Sequence, residues 1–466
     1  MTPYAVLTTI VAYFGAIGLV SWLSGRRKED RQVFYNGGRK THWAVVAFAM
    51  IGSCMSGVTF VSVPGMVGTS GFGYLQMCIG FFLGYLVIAF VLTPLYFKLE
   101  VVSIYQYLEK RFGLGAYRTG AWFFFLSKML GASVRLFLVC LTLQLLLFGP
   151  LGLPFWLNVV CNVGICLAYT FRNGVKSVIW TDVLKTLCMI VAVTLCVVLI
   201  GRDLGGIHIH EKVFFFDDVN HPQFFWKQLL GGLFTVIAMT GLDQDMMQRT
   251  LACKDHRDSQ KNLIVSSLLQ TVVIALFLCL GALLYQFAAA NGIPETGDKL
   301  FPAVATSGLL PGIVGILFIL GLVSSAYGAG GSALTSLTTS FTVDILHQAG
   351  HDKVRKAVHL SMAALMAVTV IVFNALNSTS AIDAVYKLGS YTYGPILGLF
   401  AFGILTRKQV KDKYVPFVAL LAPTLCLILQ LNSERWFGGY QFSYELLLLN
   451  ASLTFLGLCC LIKRER

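Results

Sequence analysis

Charged residues are scarce in this chain. Only 12% of its 466 residues are Asp, Glu, Lys or Arg, whereas 56% are hydrophobic. Apolar runs of about 20 residues, long enough to cross a bilayer, recur along its whole length. No stretch between them is large enough to form a soluble domain. We therefore expect a single polytopic membrane domain, all α-helical, that covers residues 1–466.

Other features are missing as well. The first apolar run, Tyr4–Leu23, is followed by GRRKEDR and has no small-residue cleavage site, so a removable signal peptide is not expected. The 12 cysteines are scattered singly, apart from Cys459 and Cys460, which argues against a disulfide or metal framework. Most histidines fall in loops or at span ends, so a membrane enzyme built on a His/Glu cluster is disfavoured. A sensor would need a signalling domain, and the chain ends at KRER.

The net charge of +13 follows membrane topology. Basic residues concentrate on alternate connections between apolar spans, and the positive-inside rule places those connections in the cytoplasm. The sequence thus predicts an outside N-terminus and a cytoplasmic C-terminus in a cell membrane, with a bacterial inner membrane favoured. Nucleic acid is not an expected partner. We expect a monomer that handles a small-molecule solute in the lipid bilayer.

The apolar pattern predicts thirteen spans, numbered here in chain order. Their approximate bounds are 4–23, 43–69, 73–97, 117–149, 154–170, 178–200, 226–248, 258–290, 309–346, 356–377, 383–405, 414–432 and 442–462.

Span two is apolar enough to cross a bilayer, yet small and helix-breaking residues interrupt it: Gly52, Ser53, Ser56, Gly57, Pro64 and Gly65. In lipid, every backbone group freed by a break needs a partner. Breaks persist where unwound backbone lines a cavity and binds an ion or substrate. The alternative is a small-residue face for helix–helix packing. We favour the binding site.

Span seven carries a comparable set of glycines and threonines, and a break is predicted within Gly231–Thr240. If spans two to six and seven to eleven are inverted units, the core comprises about residues 43–200 and 226–405. One helix precedes this core and two follow it. The internal similarity is too weak to establish a repeat alone.

Several ionisable residues fall inside or beside spans, where a charge should be paired or functional. Arg135 lies in the middle of span four, and its planar guanidinium suits a carboxylate bidentately. It could equally bond unwound carbonyls or a buried carboxylate. Lys128, two turns earlier on the same face, is expected to reach the cytoplasmic interface by snorkelling.

Three further carboxylates remain open in role. Asp182 lies just inside span six, where it could bind an ion or be neutralised by Lys185 one turn on. Asp243 and Asp245 lie near Arg249 at the cytoplasmic end of span seven. These three residues could form a gate salt bridge, and solvation of a helix end is the alternative.

Five motifs occur in order along essentially the whole chain: GSCMSGVTFVSVPG, SIYQYLEKRFG, VIWTDVLKT, GLDQDMMQR and SALTSLTTSFTVDIL. Together they resemble the solute:sodium symporter family, which includes sodium-coupled carriers of sugars, proline and sialic acid. The resemblance implies a LeuT-type inverted-repeat fold and alternating access. The segment SIYQYLEKRFG itself has an apolar face at helical spacing and is expected to be a structural amphipathic helix.

The resemblance also implies site residues. Sodium would bind between carbonyls of span two and residues of span nine: Gly52, Met55, Ser325, Gly328 and Ala329. A second ion, present in some members, would use Asp182, Gly331 and Ser332. Substrate contacts would come from Ser56, Thr59 and Arg135, since sialic-acid carriers place a carboxylate-binding arginine in the matching region.

The chain departs from the family at span nine, where hydroxyl residues are usual at the positions of Gly328 and Ala329. A hard cation needs several oxygen ligands, so sodium affinity should be lowered. We expect a sodium:solute symporter-like carrier of a small polar solute bearing a carboxylate. The alternatives are proton-coupled or uncoupled transport with a degenerate sodium site, or a neutral-sugar carrier.

Overall fold

The computed structural model describes residues 3–24, 41–99, 103–170, 175–205, 216–221, 223–348, 351–376 and 381–463. Within these ranges the regular structure is helical, and β-pairing is confined to isolated bridges. The all-α class is therefore confirmed for the described part of the chain.

The helices are numbered here in chain order. They are α1 Pro3–Ser24, α2 Trp43–Cys54, α3 Gly57–Ser70, α4 Tyr74–Val87, α5 Thr93–Leu99, α6 Gln106–Arg111, α7 Leu114–Leu143, α8 Phe155–Thr170, α9 Val175–Asp203, α10 Phe225–Val236, α11 Gln244–Thr250, α12 His256–Asn291, α13 Leu300–Thr306, α14 Gly312–Ser340, α15 Asp352–Leu376, α16 Ala381–Leu405, α17 Val415–Leu431, α18 Ser433–Trp436 and α19 Leu446–Cys460. Short π-helical segments extend α4, α7, α10 and α14, at Ile88–Leu92, Gln144–Phe148, Ile237–Gly241 and Phe341–Ile345.

Eight helices in the described residues are long and apolar enough to cross a membrane, and two bent helix pairs raise the number to ten. Three shorter apolar helices, Tyr4–Ala16, Phe155–Ala168 and Leu446–Cys460, coincide with predicted spans one, five and thirteen. A polytopic membrane protein is thus confirmed, while the count of thirteen spans stays a prediction.

Spans three and seven pack closely through small residues. A Cβ added to Gly80 of α4 would lie 2.1 Å from the carbonyl oxygen of Leu229, and one on Gly232 of α10 would lie 2.3 Å from that of Met77. Small residues let membrane helices approach this closely without a hydrophobic driving force between them. Gly232 therefore serves helix packing, although the sequence pattern pointed to a helix break there.

Spans two and nine pack side by side through aromatic residues. Phe60 of α3 is fully buried among Phe277, Phe301 and Phe318, which come from three other helices. A Cβ on Gly321 of α14 would lie 2.2 Å from the Phe60 ring, so α14 runs directly against α3. This contact fixes the height of α14 relative to the break in span two.

Candidate functional site

Span two is broken as the sequence predicts. Helix α2 ends at Cys54, α3 begins at Gly57, and the two are bent by 63°. Met55 and Ser56 between them have extended backbone, with φ/ψ of −84°/111° and −105°/176°. The small residues around the break allow this geometry within a buried segment, where Gly52, Met55 and Ser56 are almost inaccessible.

The break releases backbone carbonyls. The Met55 N–H still donates to Ile51 O at 2.8 Å, but the carbonyls of Gly52, Ser53, Cys54 and Met55 accept no backbone hydrogen bond within the described part of the chain. Such oxygens are suitable ligands for a hard cation, which takes carbonyl, carboxylate, hydroxyl or water oxygens. The carbonyl oxygens of Gly52 and Met55 are thus of the kind that a sodium ion takes as ligands.

Gly52 has a packing role as well. A Cβ there would lie 2.2 Å from Thr186 Oγ1 and 2.9 Å from the carbonyl oxygen of Asp182, both on α9. The Thr186 hydroxyl donates to Phe48 O at 3.1 Å, which ties α9 to α2 just before the break. Gly52 is consequently required for the close approach of spans two and six.

Span nine contributes Ser325, which is buried in α14 and donates through Oγ to Leu322 O at 2.9 Å. One turn earlier, Gly321 contacts Phe60 of α3. Ser325 therefore lies on the part of α14 that packs against span two. Gly328 and Ala329 belong to the same helix, but their side chains lie outside the described residues. Their facing the carbonyls of Gly52 and Met55 stays a prediction.

Arg135 is half-buried in the middle of α7. Its charge lies within electrostatic range of Cys54 at the span-two break and of Tyr386 and Tyr393 on α16. No carboxylate among the described residues forms a salt bridge with it. A half-buried guanidinium without a carboxylate partner among the described residues is suited to an anionic ligand.

Ser56 and Thr59 form the first turn of α3. Ser56 is the N-cap, and its backbone N–H donates to Thr59 Oγ1 at 3.4 Å in a capping box. Both residues therefore shape the helix start whether or not they contact a ligand. The same helix start presents the positive end of a helix dipole at the break, which favours an anion.

Sequence reasoning did not identify a polar chain that leads away from the break. Cys54 Sγ lies 3.3 Å from Tyr85 OH, and Tyr85 OH donates to Gln270 Oε1 at 3.1 Å. The chain connects span two to spans three and eight. The sequence feature that could have predicted this chain is Gln270, a polar residue in the middle of the apolar span eight.

Span seven is also broken, but not where the glycines suggested. The helix continues through the π segment Ile237–Gly241, and the bend of 75° lies between it and α11, at Leu242 and Asp243. The prediction of a break within Gly231–Thr240 is therefore corrected to a site just beyond it. Gly232 packs against Met77 instead, as described above, and Asp243 caps the new helix by accepting from the N–H groups of Asp245 and Met246 at 2.9 and 3.2 Å.

Two tyrosine hydroxyls donate hydrogen bonds to the backbone carbonyls released at this second break. Tyr96 OH donates to Gly241 O at 3.0 Å, and Tyr105 OH donates to Leu242 O at 2.8 Å. Tyr105 comes from the SIYQYLEKRFG segment, whose helix α6 has only six residues and whose Tyr105 and Leu108 are fully buried in the protein. Its role is thus structural, but sequence analysis expected an amphipathic helix at the membrane interface and did not predict the cap that Tyr105 forms on span seven.

Lys128 does not snorkel. It is buried, and its Nζ lies 3.0 Å from Asp243 Oδ2 and 3.2 Å from Asp245 Oδ2. Tyr393 OH adds a hydrogen bond to Asp243 Oδ2 at 2.8 Å. The expectation failed because the two carboxylates of the broken span seven offer a partner inside the protein, and this satisfies the ammonium without access to water.

Arg249 joins the remaining charges. Its Nη1 lies 3.2 Å from Asp245 Oδ2, its Nε lies 3.2 Å from Asp182 Oδ2, and its Nη2 donates to Ser332 Oγ at 2.7 Å. Lys185 contacts the other oxygen of Asp182. The structure therefore brings the predicted gate residues together with the residues predicted for a second ion site. The result is one buried charge cluster: Lys128, Asp182, Lys185, Asp243, Asp245 and Arg249.

Comparison with known proteins identifies the family. The model of the sodium:solute symporter family matches residues 34–411. The chain belongs to this family. Its relatives are transporters, and the protein is a membrane transporter rather than an enzyme.

The individual similarities are moderate. The chain is 28% identical to the sodium/sialic acid symporter NanT of Aliivibrio fischeri, over 89% of this chain and 86% of that one. It is 24% identical to the sodium-coupled monocarboxylate transporter 2 of Danio rerio, over 95% and 72%. A substrate-bound, outward-open structure of a Na+-coupled sialic acid symporter superposes with a TM-score of 0.80 at 19% identity, over 99% of both chains. That likeness establishes the fold.

Proposed function

We propose that this protein is a sodium-coupled symporter that imports a small polar solute with a carboxylate, of the sialic-acid or sugar-acid type, by alternating access. Its family supports symport, and two of the relatives described above are carriers of sialic acid and of monocarboxylates by name. The observation that carries the substrate class is Arg135, half-buried beside the span-two break without a carboxylate partner among the described residues.

The break in span two offers a physical basis for coupling. The backbone carbonyls of Gly52 and Met55, around the C-terminal end of α2, attract a cation. The N-terminal start of α3, at Ser56 and Thr59, attracts an anion. Only Met55 and Ser56 separate the two helices, so sodium and a carboxylate would share one short segment of backbone. Each charge would then favour binding of the other, and this reciprocal effect is what coupling requires. Ser325, Gly328 and Ala329 of span nine would complete the sodium site.

The charge cluster is proposed as the cytoplasmic gate. Asp243, Asp245 and Arg249 belong to the second part of the broken span seven, and Lys128 and Asp182 hold them to spans four and six. Release of the solute towards the cytoplasm would require these ion pairs to separate. The orientation, with the N-terminus outside and the C-terminus inside a bacterial inner membrane, and the two inverted units at about 43–200 and 226–405 belong to the same proposal.

The substrate class is tested on purified protein by solute-induced shifts in thermal unfolding, with N-acetylneuraminate as the anionic probe and glucose as the neutral one. We expect a shift with N-acetylneuraminate in sodium buffer and a much smaller one in choline buffer. Arg135→Lys keeps the charge but loses the bidentate fork, so the shift should fall markedly, and Arg135→Ala should abolish it. The matched control is Arg118→Ala, since Arg118 is exposed on the same helix.

Equal shifts with glucose in wild type and Arg135→Ala would contradict an anion site. Solute shifts that do not depend on sodium would favour an uncoupled or proton-coupled carrier instead.

A further inference from the structure

The residues predicted for a second ion already have partners. Asp182 is completely buried, with one carboxylate oxygen in contact with Lys185 and the other at 2.9 Å from Ser53 Oγ and 3.2 Å from Arg249 Nε. Gly331 O accepts from Thr335 Oγ1 at 2.9 Å. Each oxygen of this set therefore already lies beside a cationic or hydroxyl group of the protein within the described residues.

Ser332 is engaged from both sides. Its hydroxyl accepts from Arg249 Nη2 at 2.7 Å and donates to Asp245 Oδ2 at 2.6 Å. The guanidinium of Arg249 therefore lies between Asp182 and Ser332, the two side chains that a second ion would have to bridge. Arg249 thus already places a positive charge where the second sodium ion would bind, and this charge is a buried part of the protein itself.

The charges of the cluster balance. Lys128, Lys185 and Arg249 face Asp182, Asp243 and Asp245, which gives three positive and three negative groups in the described ion pairs. A sodium ion added here would leave one uncompensated positive charge in a buried region. Burying a charge without a partner is costly, whereas a paired and hydrogen-bonded network is tolerated.

We infer that Arg249 and Lys185 replace the second sodium as built-in cations at Asp182, and that the protein binds one sodium, at the span-two break. The inference rests on the proposed function, because it assigns the number of ions to the same symport. In this arrangement Arg249 is a positioning residue: it holds spans six, seven and nine together, and no ion needs to bind or leave for that contact to form.

The number of ions is measured without any solute. Purified protein is unfolded thermally over a series of NaCl concentrations, with choline chloride keeping the ionic strength constant. A ligand that binds the folded state raises the free energy of unfolding. Above the dissociation constant, this increase is proportional to the logarithm of the ligand concentration. Binding of two ions doubles the slope of the free energy of unfolding against the logarithm of the sodium concentration, compared with one ion. We expect the one-ion slope for wild type. A two-ion slope would overturn the inference.

Two variants test the role of the fixed charges. Lys185→Met leaves the cluster with one net negative charge, so a second sodium should bind and the slope should rise towards the two-ion value. Asp182→Asn with Lys185→Met keeps the cluster neutral, and its slope should equal that of wild type. Lys261→Met is the control, because it removes a lysine from an ion pair at the surface, with Asp258 at 3.6 Å.

The outcomes separate this inference from the proposed function. A slope that falls in the neutral double variant would show that Asp182 binds sodium in wild type, and an unchanged slope in Lys185→Met would show that fixed charge does not exclude the ion. Either result overturns the inference alone. A wild type without any sodium effect would overturn both, and a missing response to N-acetylneuraminate would contradict only the substrate proposal.

Discussion

The two broken helices differ in what becomes of the carbonyls that each break releases. At span two, the carbonyls from Gly52 to Met55 accept no backbone hydrogen bond within the described residues. At span seven, those of Gly241 and Leu242 accept from Tyr96 and Tyr105. An unsatisfied carbonyl in a membrane costs several kcal/mol. The carbonyls of the second break are satisfied by tyrosines of the protein, and in the proposed function a sodium ion satisfies those of the first.

The breaks also differ in charge. The span-two break contains no ionised side chain, so a cation can bind there without competition from a lysine or arginine on the same segment. The span-seven break begins with Asp243 and Asp245, and both are neutralised by Lys128 and Arg249. Similar backbone geometry thus serves two purposes: one break is suited to bind an ion and the other to lock helices together.

The largest expected effect comes from Asp243→Ala at the second break. The variant removes the acceptor of Tyr393, the cap of α11 and the nearer carboxylate of the buried Lys128. Removing one partner of a buried ion pair typically costs about 3–5 kcal/mol, so the unfolding temperature should fall sharply. Asp258→Ala, at the surface pair with Lys261, should cost less than about 1 kcal/mol. Equal losses in the two variants would show that the cluster is not a structural lock.

A somewhat smaller effect is expected from Gly52→Ala at the first break. The new Cβ would meet Thr186 Oγ1 and the backbone of Asp182, neither of which can withdraw easily. Overpacking of this kind costs up to about 3 kcal/mol. Gly241→Ala at the second break is the comparison, because the atoms nearest its Cβ would belong to the side chains of Leu92 and Ile88 and not to backbone.

The measurement for both glycine variants is thermal unfolding, with Gly131→Ala as the control, since no atom lies within 4 Å of its added Cβ. Thr186→Ala should restore part of the loss in Gly52→Ala. A larger loss at Gly241 than at Gly52 would reverse the comparison.

Tyr105→Phe should uncover the Leu242 carbonyl. Leaving a buried acceptor without a partner costs about 1–3 kcal/mol, which a moderate fall in unfolding temperature would reveal. Sodium titration of the variant should retain the wild-type slope, because the cluster around the second break stays neutral. Tyr414→Phe is the control, since Tyr414 is 47% exposed. An added sodium ion in Tyr105→Phe would show that the second break, too, can act as a cation site once its cap is removed.

The smallest effect is expected at span nine. Gly328→Ser with Ala329→Ser would add two hydroxyls at the span-nine positions proposed for the sodium site. If they face the carbonyls of Gly52 and Met55, the sodium concentration for half-maximal stabilisation should fall, because a hard cation binds more tightly with more oxygen ligands. Gly330→Ser is the control, because its Cβ faces Cys166 of α8 instead. An unchanged sodium affinity in the double variant would remove these two positions from the proposed site.

Prediction from sequence was accurate where local chemistry decided the structure. The break at Met55 and Ser56 was found because serines, glycines and a proline cluster together there and interrupt an otherwise apolar span. The break in span seven was misplaced because glycine has a second use in membranes, the close packing of helices, and Gly232 serves that purpose. Only the contact with Met77 on another helix distinguishes the two uses.

The sequence by itself determined that this is a polytopic membrane protein, because the length and spacing of apolar runs are local properties of the chain, and its ordered motifs carried the resemblance to a family of transporters. It also indicated that Arg135, as a charge inside a span, must have a partner or a function. The tertiary structure alone decided which charges pair. Lys128 and Asp243 are 115 residues apart, and so large a separation leaves no periodic trace that a sequence pattern could show. Asp182 could bind an ion or a cation side chain on sequence grounds, and only the folding of span seven against span six brings Arg249 to within 3.2 Å of it.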